Sequence, residues 1–74
     1  MVAPYKTGVP AHDAAVYAAR LARDVAAPPG SSQQTYKSAD ITYARACFNS
    51  SLTNNSAADA ALYSAMLRSL GVGT

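Results

Sequence analysis

Ser56-Ala-Ala-Asp-Ala-Ala-Leu-Tyr-Ser-Ala-Met-Leu-Arg-Ser-Leu70, closed by Gly71, is the stretch from which the rest of this chain is read. Set out at about 100° per residue, its apolar side chains run almost all the way round. Leu62, Met66, Leu70, Tyr63 and Leu67 cover one side, and Ala57, Ala61, Ala65 and Ala58 cover much of the other. Only Ser64, Arg68, Ser69 and first-turn Asp59 interrupt that surface. A helix of this kind calls for burial on every side, and a chain of 74 residues has little with which to surround one. The expectation is a protein that finishes its burial against a partner, with Leu62, Met66 and Leu70 at the contact.

Composition points the same way. Half of the residues are hydrophobic, but many are alanine, which favours helix and buries little area. With one Phe and no Trp, the five Tyr supply most of the aromatic surface. A core this thin ordinarily needs a disulfide, a metal or an oligomeric partner. One Cys excludes an internal disulfide, and one Cys with one His argues against a protein-only zinc site. No metal, cofactor or small-molecule substrate is expected, which leaves a protein partner or self-association.

The net charge of +2 is spread over Lys6, Arg20, Arg23, Lys37, Arg45 and Arg68, without the patch a polyanion needs. Met1-Val2-Ala3-Pro4 does not open a signal peptide. No apolar run reaches the length of a membrane span. The sequence therefore reads as a soluble protein, intracellular or particle-associated.

Working outward from the last helix, the chain divides into an arm, one helical domain and a tail. Residues 1–9, punctuated by Pro4 and Gly8, read as an extended arm in which Tyr5 is the contact residue. Pro10 suits a helix start. Helix 1 then runs to Ala26 or Ala27, stopped by Pro28-Pro29-Gly30. Its apolar stripe is Ala11, Ala14, Ala18, Leu21, Ala22 and Val25, flanked by Tyr17. Opposite lie His12, Asp13, Arg20, Arg23 and Asp24. Val16 stands among those charges as a small exposed apolar point and joins the expected interface.

Helix 2 starts near Ser31, where Ser31 and Gln34 have capping-box spacing, or near Ser38; its firm part is Ala39–Asn49. Its stripe is Ile41, Ala44, Phe48 and Leu52, widened by Tyr36, Tyr43 and Cys47. Residues 49–55 read as a polar turn. Helix 3 takes Ser56 as N-cap and Gly71 as its stop. The fold expected is all-α: three helices over about 10–27, 32 or 38–50 and 56–70. They form one small domain at 10–71, with a tail at 72–74.

Ala11–Leu21 aligns with Ala57–Leu67 at seven of eleven positions, four of them Ala. Convergence on a good helix opening explains this, and so do matching packing roles about a pseudo-two-fold axis. Where the two differ, Arg20 answers to Met66 and Val16 to Leu62, so helix 3 reads as the contact helix. The rows Ala14-Ala18-Ala22 and Ala57-Ala61-Ala65 permit close helix approach, either between helices 1 and 3 or across a subunit boundary.

Candidate chemistry is sparse. Cys47 beside Phe48 suits an inert buried thiol. His12 in a first turn faces the positive end of a helix dipole, so a Cys–His catalytic pair is not expected. Asp13, Asp40 and Asp59 near helix starts have ordinary roles in capping. Gly71-Val72-Gly73 follows a helix and cradles no phosphate. Asn49-Ser50-Ser51 and Asn54-Asn55-Ser56 fit the glycosylation pattern without a secretion signal. The function expected is that of a non-enzymatic structural or assembly subunit, docked on a larger complex or self-assembled; a virion or phage particle is one such setting. The alternative is a small regulatory module that binds a protein, or nucleic acid weakly through helix 2, the turn and helix 3.

Overall fold

Pro10 opens α1 (Pro10–Ala26), which ends at Ala27; α2 (Gln33–Thr53) and α3 (Ala57–Ser69) follow. This architecture is that of a computed structural model describing residues 7–73, and no strand occurs among the described residues. Tyr5 and most of the expected arm lie outside them.

The ends of the helices follow from local chemistry. At the start of α1 the Asp13 carboxylate accepts hydrogen bonds from Thr7 N at 3.0 Å and Thr7 Oγ1 at 2.9 Å, tying down the entering chain. The connection to α2 is pinned at Pro28 O, which accepts from Ser31 Oγ and from the Tyr36 hydroxyl. Ser32 caps α2 by accepting from Thr35 N at 3.1 Å. The earlier of the two expected starts therefore holds, with the cap at Ser32, one residue after the capping-box serine. At the other end, Gly71 adopts φ +84°, its N–H reaching Arg68 O and the Val72 N–H reaching Leu67 O. That pair of bonds is the Schellman arrangement, and it satisfies carbonyls the last turn would leave open.

The expected turn over residues 49–55 is mostly helix. α2 continues to Thr53, and the reversal is made by Asn54 and Asn55, the latter at φ 56°. Polar side chains that elsewhere compete with helix here bond back along it. Ser51 Oγ donates to Phe48 O at 2.6 Å, and Asn54 Nδ2 donates to Ser50 O at 2.9 Å.

Both α1 and α3 pack antiparallel on α2. Among the described residues neither brings its backbone against the other. The result is a flat unit of 34 × 28 × 15 Å, little thicker than one helix with its side chains. Its core is correspondingly small: Val16, Cys47 and Tyr63 are buried together, with Ala19, Tyr43, Phe48 and Met66 packed around them. Tyr43 meets Tyr63 edge to face, centroids 6.1 Å apart.

This arrangement closes one open alternative and corrects two expectations. The alanine rows of helices 1 and 3 do not pack on each other and are largely exposed. Leu52 is exposed rather than part of the buried stripe of α2, whose buried residues are Ala39, Ala44, Cys47 and Ser51. The largest correction concerns α1. The face it turns to α2 carries His12, Val16 and Ala19, with half-buried Arg23. Val16 is buried, so it is not the exposed apolar point expected of it.

Candidate functional site

His12 is the most enclosed polar residue among the described residues, at 0% exposure. The first turn of α1 sets it against the start of α3 and the end of α2. Its Nε2 lies 2.7 Å from Asp59 Oδ2, and its Nδ1 lies 2.8 Å from Ser50 Oγ. A carboxylate only accepts, so Nε2 carries the proton on that side. On the other side, Nδ1 exchanges a hydrogen bond with the Ser50 hydroxyl, which also accepts from Asn54 Nδ2 at 3.2 Å. One imidazole therefore joins all three helices. No buried side-chain nitrogen or oxygen among the described residues lacks a hydrogen bond, as a polar cluster under this much cover requires.

Serine, histidine and aspartate in a row are the groups of nucleophilic acyl transfer. Here the imidazole is sealed from solvent, and the Ser50 oxygen is engaged from two sides. The arrangement suits a clasp that holds helices together. Cys47 lies one turn before Ser51 on α2, under the same cover. Burial pushes its thiol above the ordinary value, and hydrogen bonds with Tyr63 and Tyr43 oppose this without cancelling it. A thiol held protonated is a poor nucleophile. Tyr63 is likewise pushed up, first by burial and then by its hydrogen bond with Tyr43.

A second polar strut holds the far ends of α1 and α2 together. Arg23 Nε donates to Asp40, and this bond raises the guanidinium above its ordinary value despite partial burial. Arg23 and Tyr43 also stand between two open grooves. One, of about 540 Å³, runs between α1 and α2 over Ala22, Ala26, Ala39 and Ala46. The other, of about 320 Å³, opens between α1 and α3 beside Met66 and Leu70. Neither is lined by His12, Ser50 or Asp59.

The expected contact residues are thus dispersed. Met66 and Leu70 are half-buried and share the second groove, Leu62 stands 47% exposed on α3, and Val16 is in the core. The surface that sequence reasoning took for a packed face is the outward one. Tyr17 (38% exposed), Leu21 (40%) and Val25 (82%) run down the solvent side of α1, with Ala14 and Ala18 beside them. The signal was legible as the apolar stripe of helix 1; only its direction was reversed.

No family model, curated protein or solved structure matches this chain. No described helix is long and apolar enough to cross a membrane, and no cluster of metal-ligating side chains occurs among the described residues.

Proposed function

We propose that this protein is a small non-enzymatic structural or assembly subunit that docks through apolar helix faces. The observation that carries this reading is the orientation of α1. The helix with the clearest apolar stripe turns that stripe to solvent and packs on α2 through His12, Val16, Ala19 and Arg23. A contiguous exposed apolar stripe on a soluble chain marks an interaction surface, and Tyr17 adds the aromatic character that interfaces favour. Leu62 on α3 extends the apolar area available for docking. The Ser50–His12–Asp59 cluster supports the reading from inside. It substitutes for the apolar bulk that a thin alanine-rich core lacks, freeing the apolar face of α1 for a partner.

Site-specific photo-crosslinkers at Val25 and Leu62 test this in native cell extract, with exposed Lys37 as control. Discrete protein adducts at the two apolar positions, absent at Lys37, are expected. No adduct at either apolar position would overturn the reading.

A further inference from the structure

The outward face of α1 has a pattern that complements itself. We infer that two copies of this chain pair through α1, antiparallel, along a seam of Ala14, Ala18, Leu21 and Val25. The inference rests on the docking reading above and names its partner as a second copy.

Those four side chains fall within an arc of roughly 60° on the helix, opposite the Val16 and Arg23 side that faces α2. All four are exposed. They occupy the a and d positions of a heptad, with Ala18 and Val25 at a, Ala14 and Leu21 at d. In an antiparallel pair each a position faces a d position. The register that sets Ala18 against Leu21 of the second copy also sets Val25 against its Ala14. Two-fold symmetry then repeats both pairings. Every one of the four layers holds one alanine and one larger side chain, so the volumes are even along the seam. A parallel pair would stack Leu21 on Leu21 and Ala18 on Ala18, leaving a crowded layer beside an empty one.

The flanks agree with this register. On one side Ala15 meets Ala22 of the second copy, and two methyl groups let the helices approach closely. On the other, Tyr17 comes opposite Asp24 of the second copy, a phenol facing a carboxylate that can accept its proton in a hydrogen bond. Within its own helix Asp24 lies 3.3 Å from Arg23 and 3.8 Å from Arg20, which balance its charge beside that pair. The seam itself contains no charged side chain.

Sedimentation of the full chain across a dilution series, with and without Leu21→Lys, makes the first test. The parent chain should populate a dimer. Leu21→Lys should raise its dissociation constant by about a hundredfold, because both copies bury an unpaired ammonium, with helix content by circular dichroism unchanged. Register and direction are read from cysteine pairs, since A14C and V25C are exposed substitutions that fold independently of the seam. A mixture of the two chains should form the mixed disulfide, with neither forming its own, while buried Cys47 stays a bystander. A V25C homodisulfide would mean parallel pairing and overturn the inference. So would a chain that is folded and monomeric at every concentration. In that second case, photo-crosslinks from Val25 to a different protein would leave the docking reading standing.

Discussion

Ala11–Leu21 of α1 and Ala57–Leu67 of α3 match at seven positions, yet the matched side chains have opposite fates. Tyr63 and Leu67 are buried, whereas Tyr17 and Leu21 face solvent. α1 buries His12 and Val16; α3 buries Asp59, Tyr63 and Leu67. Aligned on their shared residues, the two helices present faces one position apart, which is a rotation of roughly 100°. The pseudo-two-fold equivalence that the alignment allows is therefore absent. The deciding difference is a mismatched position: α1 has His12 where α3 has Ala58. Only α1 carries an imidazole to bury, and the bond from Nε2 to Asp59 turns it inward. The two matched aspartates divide accordingly, Asp59 to the core and Asp13 to the entering backbone at Thr7. Hydrophobic periodicity proposes a face, and here a buried polar contact outweighs it.

Paired substitutions at matched positions break the comparison most sharply. Asp59→Ala should destabilise the chain by about 3–5 kcal/mol, because it strands a sealed imidazole. Asp13→Ala should cost about 1 kcal/mol as a capping loss. Thermal denaturation of both variants reads this directly, and equal losses would refute the asymmetry. Next in size is the leucine pair. Leu67→Ala should cost about 2–4 kcal/mol through an internal cavity, and Leu21→Ala, in dilute monomer, no more than about 0.5 kcal/mol.

Smaller still is the response to alkali. Cys47 and Tyr63 are both held above their ordinary values of 9.0 and 10.0. Above those values the unfolded chain has released protons that the folded chain retains, so stability falls as pH rises. Melting temperature should hold level from neutral pH to about pH 9 and decline above it, less steeply in Tyr63→Phe. A level profile up to about pH 11 would contradict the burial of both groups. Smallest is the helix end. Gly71→Ala at φ +84° should cost about 1 kcal/mol. The same scan by circular dichroism should find Ala27→Gly, at the negative-φ end of α1, without a matching gain.

What the sequence revealed and what it hid follow from the range of each interaction. The three helices, the Pro10 start and the Gly71 stop were legible because each is determined within a few residues. Of the two starts the sequence allows for α2 the earlier one holds, with Ser32 taking the cap while the Ser31 hydroxyl donates to Pro28 O. The length of α2 was missed because Ser51 and Asn54 look like turn formers. Their side chains bond back to carbonyls three and four residues earlier. The facing of α1 and the His12–Asp59 contact were hidden together. Their partners are 47 positions apart, and the inward face of α1 looks polar by composition. Val16, an apolar residue set among charges, is buried on that face where its neighbours in sequence suggest exposure.

The two connections differ in length, and the contacts made across them differ in reach. α2 reverses into α3 through Asn54 and Asn55, with Ser56 N bonded to Ser51 O at 2.8 Å. So short a loop closes quickly and at little entropic cost. α1 docks on α2 across residues 27–32 with Arg23 on Asp40, 17 positions apart, and reaches α3 through His12 on Asp59, 47 positions apart. α2 is therefore the shared bed of both neighbours, and the His12 imidazole is the joint that ties the three helices to one another. One imidazole thus helps to turn two helix pairs that share α2 into a single unit.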